Sequence, residues 1–341
     1  MKAAVLRASR TPLEIEEIEV GRTGPHEVLV RTAAVGVCHS DLHVVEEVGS
    51  EVCGFAPGDA VIGCLSVFCG YCEYCVTGRP NLCGGEPTAR GADEPPRLSK
   101  NGTPIGQFAH LGAFAERILV HENALVKIRP EMPLDRAALI GCGVTTGLGA
   151  ALNTARVRAG STVAVIGCGG VGLAAIQGCR IAGAGRIVAV DTASWKLDLA
   201  RQLGATDGID ASTEDATGRV LAMTSGGVDY AFEAIGLEPT VQQALRMTRK
   251  GGTAVLVGVM PIGSTAAIPA WDVVLREKSI LGCMMGSNRF RVDMPRYVDM
   301  YLRGQLKLDE MISARIRLEQ VDEAFEAMRK ATAARSVVVF D

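Results

Sequence analysis

Apolar residues in the first third of the chain come in short runs broken by Gly, Pro and charge, among them Val28-Leu29-Val30, Ala60-Val61-Ile62 and Ile118-Leu119-Val120. Runs of that length between turn formers predict strands, so the region from Met1 to about His121 reads as irregular all-β. The Pro- and Gly-rich polar stretch 84–106 interrupts it as an expected long surface excursion. Around Gly141 the rhythm changes. Candidate strands at 162–166, 186–190, 228–232 and 253–257 alternate with candidate helices at 170–182, 194–203, 214–224 and 239–248. Strand-helix alternation predicts a parallel sheet covered on both faces. Beyond about Gly286 the chain turns polar, forms one or two helices through Arg303, and ends on the strand-like Ser336-Val337-Val338-Val339-Phe340, expected to return to the first domain. The resulting organisation is an α/β chain with a β domain at 1–144, a cysteine-bearing lobe at about 63–112, an α/β domain at 145–285 and a returning segment at 286–341.

Composition adds exclusions. Of 341 residues 48% are apolar and 21% charged, and 35 cations against 38 anions leave a formal charge of −3 with no long run of either sign. Nothing in that balance calls for nucleic acid or an anionic membrane. Two uncharged stretches, 161–179 and 252–271, approach membrane-spanning length. The first carries five glycines and the second Pro261 and Pro269, so both read as buried strands with turns. Met1 to Leu6 runs into strand-like alternation and then acidic residues, with no cationic-apolar leader pattern, and the expected location is cytoplasmic.

The strongest chemical signal lies at the start of the α/β region. Candidate strand 162–166 runs into Gly167-Cys168-Gly169-Gly170-Val171-Gly172, a candidate helix follows, and the next candidate strand leads to Asp191. In that context Gly167 permits a tight turn, Gly169 lets backbone N–H groups approach a pyrophosphate, and Gly172 allows helix and strand to pack closely. The helix amino terminus, opening at Gly170 and Val171, then faces the phosphates. Asp191 can accept from both hydroxyls of an adenosine ribose and would repel a 2′-phosphate, so NAD is expected rather than NADP. Lys196 on the following helix can reach the same ribose or stand in solvent.

Eleven cysteines separate into a cluster and a scatter. Cys69, Cys72, Cys75 and Cys83 lie within 15 residues, with Gly70, Gly78 and Pro80 supplying turns. Four thiolates surround one Zn²⁺ tetrahedrally and leave no position for water or substrate, so this site is expected to be structural. Cys38-His39-Ser40-Asp41-Leu42-His43 concentrates a thiol, a hydroxyl, a carboxylate and two imidazoles, and Cys142 sits at the junction of the two halves, where a ligand cleft is expected.

Taken together, Gly36 to His43, the four-cysteine lobe, Gly141-Cys142-Gly143-Val144-Thr145-Thr146-Gly147, the glycine fingerprint with Asp191, and Phe232-Glu233-Ala234-Ile235-Gly236 resemble the zinc-dependent alcohol dehydrogenases of the medium-chain dehydrogenase/reductase superfamily, over essentially the whole chain. The resemblance implies a GroES-like irregular β domain carrying a catalytic zinc and a Rossmann doubly wound parallel sheet holding NAD. It implies interconversion of alcohols with aldehydes or ketones by hydride transfer. By the same resemblance Cys38 and Cys142 match zinc ligands, Ser40 and His43 a proton relay on a helix, and His39 a pyrophosphate contact. Thr146 and Val257 match the nicotinamide site, and Arg335 a contact to a cofactor phosphate. A homodimer is expected on the same grounds and from the apolar stretches 252–271 and 279–285, which lie near the sheet edge.

The chain also departs from the pattern. The family's third ligand is the His of a Gly-His-Glu motif, and this chain has none; its five histidines are His26, His39, His43, His110 and His121. His43-Val44-Val45 passes directly to Glu46-Glu47, so a segment of the family pattern is missing. Two thiolates fall short of the usual three protein ligands. Three readings stay open: Glu46, Glu47, Glu51 or Cys53 serves as substitute ligand; NAD is used with no catalytic metal; or the chain folds and turns over poorly. The competing functions are a zinc-independent reductase of the same superfamily and a non-catalytic NAD-binding protein.

Overall fold

In the computed structural model, residues 1–8, 11–37, 40–330 and 332–340 are described, with only the backbone for 40–42 and 87. They fall into two compact units, Met1–Cys142 with Arg289–Asp341, and Gly143–Asn288.

The first unit is built on β1 (Glu27–Gly36), whose valines and alanines are buried along nearly its whole length. Antiparallel to it run β2 (Ser40–Val48) and, on the other side, Ser336–Val339 of the returning segment. β3 (Ala60–Gly63) pairs with β2, β4 (Arg117–His121) with β1, and β5 (Leu125–Lys127) with β3. Val28, Val30, Val45, Val61, Ile118 and Val120 meet in its core. β-branched side chains on pleated strands account for that packing.

Two expectations need correction. Ser40 to His43 continues as strand rather than helix, with Gly36 opposite Ser40 and Thr32 opposite His43. The β-branched pair Val44-Val45 follows at once and extends the ladder, leaving no connecting segment in which a helix could turn away. The stretch 84–106 is not simply a surface excursion. Thr88, Arg97 and Leu98 are buried, and Arg90 and Arg97 both converge on buried Glu27, at 2.9 and 2.6 Å. Although burial opposes its charge, the two guanidiniums and the Gly24 N–H bring the Glu27 carboxyl down to about 2.

The second unit carries six parallel strands: β6 (Thr162–Ile166), β7 (Arg186–Asp191), β8 (Asp207–Asp210), β9 (Val228–Glu233), β10 (Thr248–Leu256) and β11 (Ser279–Gly282). Their spatial order is β8-β7-β6-β9-β10-β11. Helices α1 (Gly170–Ile181), α2 (Ser194–Leu203), α3 (Ala216–Met223) and α4 (Glu238–Met247) form the crossovers. β7 and β9 flank β6, so the order reverses beside β6, and the carboxyl ends of β6 and β9 border the topological switch point.

Among the described residues one helical stretch, Leu134–Thr154, is long and apolar enough to cross a membrane, but 83% of its most apolar 18-residue window is buried, as in a core helix. The uncharged stretches 161–179 and 252–271 hold strand β6 with helix α1, and the end of β10 with a loop and the start of a short helix.

Candidate functional site

The β6–α1 turn provides the clearest ligand geometry. Gly167 adopts φ +93°, which glycine tolerates without penalty, and a Cβ there would lie 2.5 Å from Ile235 Cγ1. A Cβ on Gly172 would come 1.8 Å from the Gly167 carbonyl oxygen, so only glycine lets α1 pack this close to the turn. A Cβ on Gly169 would meet nothing within 4 Å. That open space in front of the α1 amino terminus is what a pyrophosphate requires. Gly170 and Val171 open the helix.

Asp191 ends β7 beside this turn. Its carboxylate accepts from the Cys168 N–H at 2.7 Å and the Ala193 N–H at 3.0 Å, with Lys196 Nζ 3.9 Å away. Lys196 therefore faces the carboxylate and is largely covered rather than standing in solvent. Across the switch point Val257 is buried and donates its N–H to the Glu233 carbonyl at 2.9 Å. Thr146, on the helix Thr145–Gly149, is buried with its hydroxyl 3.5 Å from Met285 Sδ.

In the first unit Cys69, Cys72, Cys75 and Cys83 place their Sγ atoms within 4.8 Å of one another. The sulfurs of Cys72 and Cys75 are 3.5 Å apart and those of Cys69 and Cys75 3.9 Å. Tetrahedral zinc with Zn–S of about 2.3 Å requires about 3.8 Å, so the cluster fits the ion. Backbone N–H groups aim at these sulfurs, Cys72 N–H at Cys69 and Cys69 N–H at Cys83, both 3.3 Å. Such donors, the Tyr71 N–H foremost, bring the Cys69 thiol down to about 7.

The second metal expectation fares differently. Cys38 and His39 lie outside the described residues, and Ser40 is described only by its backbone in β2. Cys142 is buried. His43 is fully buried with neither ring nitrogen hydrogen-bonded, and desolvation pulls its pKa down to about 3. No hydrogen bond joins the His43 ring to another described residue. Arg335 is buried too, donating to the Val37 carbonyl at 3.3 Å.

Glu46 lies six positions along β2 from Ser40, about 20 Å at 3.3 Å per residue. Glu46 is held by Arg117 at 2.6 Å, Glu51 lies 3.1 Å from His26, Glu47 is exposed, and Cys53 is exposed beside Glu51 and Glu122. Among the described residues the four-cysteine cluster is the one group of three or more candidate donors close enough to share an ion.

Sequence reasoning leaves one residue of consequence without a role. Glu233, the last residue of β9, is fully buried. The signal for it is a carboxylate directly after the buried run Tyr230-Ala231-Phe232 at the end of the strand.

Residues 44–130 match the alcohol dehydrogenase GroES-like domain and residues 170–303 the zinc-binding dehydrogenase domain. Alcohol dehydrogenase class-3 of Drosophila melanogaster is 37% identical over 369 aligned positions, covering 99% of this chain and 97% of the relative. Those 369 positions against a chain of 341 leave at least 28 of the relative without a counterpart. Among solved structures, an alcohol dehydrogenase zinc-binding domain protein from Burkholderia ambifaria is 30% identical with a TM-score of 0.94, covering 100% of this chain and 98% of its own. Benzyl alcohol dehydrogenase from Acinetobacter calcoaceticus is 27% identical with a TM-score of 0.94, covering 100% and 99%.

Proposed function

The chain belongs to the zinc-type alcohol dehydrogenases of the medium-chain dehydrogenase/reductase superfamily, oxidoreductases of alcohols and carbonyl compounds, and we propose that it transfers hydride between such a substrate and NAD. The observation that carries the cofactor is the glycine turn with Asp191 beside it. Open space before the α1 amino terminus admits a pyrophosphate, and a carboxylate at the end of β7 accepts ribose hydroxyls while repelling a 2′-phosphate. NAD bound there supplies the hydride acceptor. Gly167, Gly169 and Gly172 seat its phosphates, Asp191 and Lys196 its adenosine ribose, and Thr146 and Val257 its nicotinamide.

The zinc complement we propose is one structural ion per chain, held by Cys69, Cys72, Cys75 and Cys83. A zinc on Cys38 and Cys142 would supply Lewis acidity toward an alcohol oxygen, but a third ligand is not found among the described residues. Alcohol oxidation is accordingly expected to be weak. A second reading, a zinc-independent NAD(P)H reductase, is favoured by one observation: among the described residues the four-cysteine cluster is the one group of donors close enough to share an ion.

The bare edge strand β11 supports a homodimer. Val259, Ile262, Trp271, Val274 and Leu275 are exposed in the sequence leading to it, and a symmetric partner would cover them. No disulfide joins any two of the described cysteines, which suits a reducing compartment, and we place the protein in the cytoplasm.

The deciding experiment is zinc analysis per chain after exhaustive dialysis, run with NADH titration and alcohol oxidation. One zinc, tight NADH binding and weak alcohol oxidation are expected. Two retained zinc ions with full turnover would restore the three-ligand metal mechanism; NADH binding without any turnover would leave a binding protein.

A further inference from the structure

The buried carboxylate at the end of β9 is satisfied on one oxygen only. Glu233 Oε1 accepts from the Ile235 N–H at 2.9 Å, the Gly236 N–H at 2.8 Å and the Thr240 hydroxyl at 2.8 Å. Oε2 has no partner and lies where a Cβ on Gly258 would come within 2.7 Å. Burying a carboxylate with one oxygen idle costs stability, and stability alone does not account for placing one there.

What the residue does is join three strand ends. Its carbonyl accepts from the Val257 and Gly258 N–H groups at 2.9 and 3.0 Å, fixing the exit of β10. The neighbouring Ala234 N–H donates to the Ile166 carbonyl at 2.9 Å, fixing the end of β6 just before Gly167. Its side chain holds Ile235 and Gly236, and Ile235 stands against the glycine turn.

Position relative to the switch point decides which half of the ligand feels this. Asp191 ends β7, on one side of β6, and takes the adenosine half. β9 and β10 end on the other side, so their loops border the remaining half, the nicotinamide. We propose that Glu233 is a positioning residue for the nicotinamide half of the dinucleotide, setting the wall formed by Ile235 and Val257 without touching the adenosine half. This rests on the NAD reading above.

The test separates the two halves by using NADH and ADP-ribose, which share the adenosine, ribose and pyrophosphate groups but differ in the nicotinamide. With the full-length protein, calorimetric titration of Glu233→Ala should show NADH binding weakened about tenfold and ADP-ribose binding within twofold of wild type. Glu233→Gln, which keeps a carbonyl for the three donors, should fall between. Thr240→Val removes one donor and leaves the carboxylate, so it should shift NADH binding two- to threefold in the same direction. It decides the matter if Glu233→Ala does not fold. Equal weakening of both ligands, or none of either, overturns the assignment. Wild-type protein that binds neither NADH nor ADP-ribose would instead overturn the NAD reading itself, and this inference with it.

Discussion

The glycine turn after β6 and the paired strands β1 and β2 are the two regions in which the sequence pattern leads one to expect a ligand site. Around the glycine turn the polar groups are engaged: Asp191 binds two backbone N–H groups, and Glu233 organises the loop opposite. Between β1 and β2 the paired Thr32 and His43 leave Oγ1 and both ring nitrogens buried without a partner. The cause is how each site is assembled. The glycine turn and its carboxylate come from one continuous strand-helix-strand stretch, as the cysteine cluster comes from one loop. The site expected at β1 and β2 would need donors from separate segments, and at least 28 positions of a relative have no counterpart in this chain. A locally encoded site depends on no distant segment; a site assembled from several segments does.

The largest expected effect tests the local side of that contrast. Cys75→Ser should remove the lobe's zinc and lower the unfolding temperature more than a substitution at His43 or Asp191. Apparent zinc-binding free energies at such sites are on the order of 10 kcal/mol, part of which is folding free energy. NADH binding by whatever stays folded should be unchanged, because the second unit supplies none of the four sulfurs. Metal analysis with calorimetry checks this, and full zinc retention with an unmoved transition would dismantle the structural site.

The next effect tests the idle side. The unfolded chain binds a proton on His43 near the ordinary 6.5, whereas the folded protein resists until about 3. Between those values the unfolded state holds more protons, so stability is complete above about pH 6.5 and is lost as pH falls toward 3. The loss is up to about 4 to 5 kcal/mol, the worth of a shift that size. His43→Leu should abolish this part of the slope and leave the protein more stable than wild type below pH 5. Comparing the two proteins cancels acid effects on the zinc lobe, which both contain. Parallel stability curves from pH 7 to 4 would show that His43 has a partner in solution.

The same contrast governs what could be read from the chain. β6, β7, α1 and α2 are legible because apolar periodicity and turn residues specify them locally, and the cradle was legible with them. β8 was missed because Asp207-Gly208-Ile209-Asp210 offers a single large apolar residue, and only its pairing with β7 makes it a strand. β10 begins at Thr248, earlier than the apolar run suggests, since Arg249 to Gly252 joins it past a register shift opposite β9. The burial of Arg97 and Leu98 depends on Glu27, 70 residues before Arg97. No local pattern reports such a contact. The strand at Ser40–Val48 likewise follows from what adjoins Val44, not from the motif before it.

The smallest effect bears on how fully the local site is specified. Asp191 serves two purposes: it ties Cys168 and Ala193 into the turn, and its charge faces the position of a 2′-phosphate. Asp191→Ala removes both, so absolute affinity for NADH should fall as the turn loosens. The ratio of NADPH to NADH dissociation constants isolates the charge, because both cofactors share the pyrophosphate contacts and suffer the loosened turn equally. That ratio should drop at least tenfold, about 1.4 kcal/mol, chiefly by removing repulsion. Asp191→Asn keeps an acceptor for one N–H and should lower the ratio with a smaller loss of NADH affinity. Fluorescence titration of both cofactors against the three proteins measures it. An unchanged ratio in both variants would mean that the carboxylate is spent on the turn alone, and that cofactor choice is made elsewhere in the cradle.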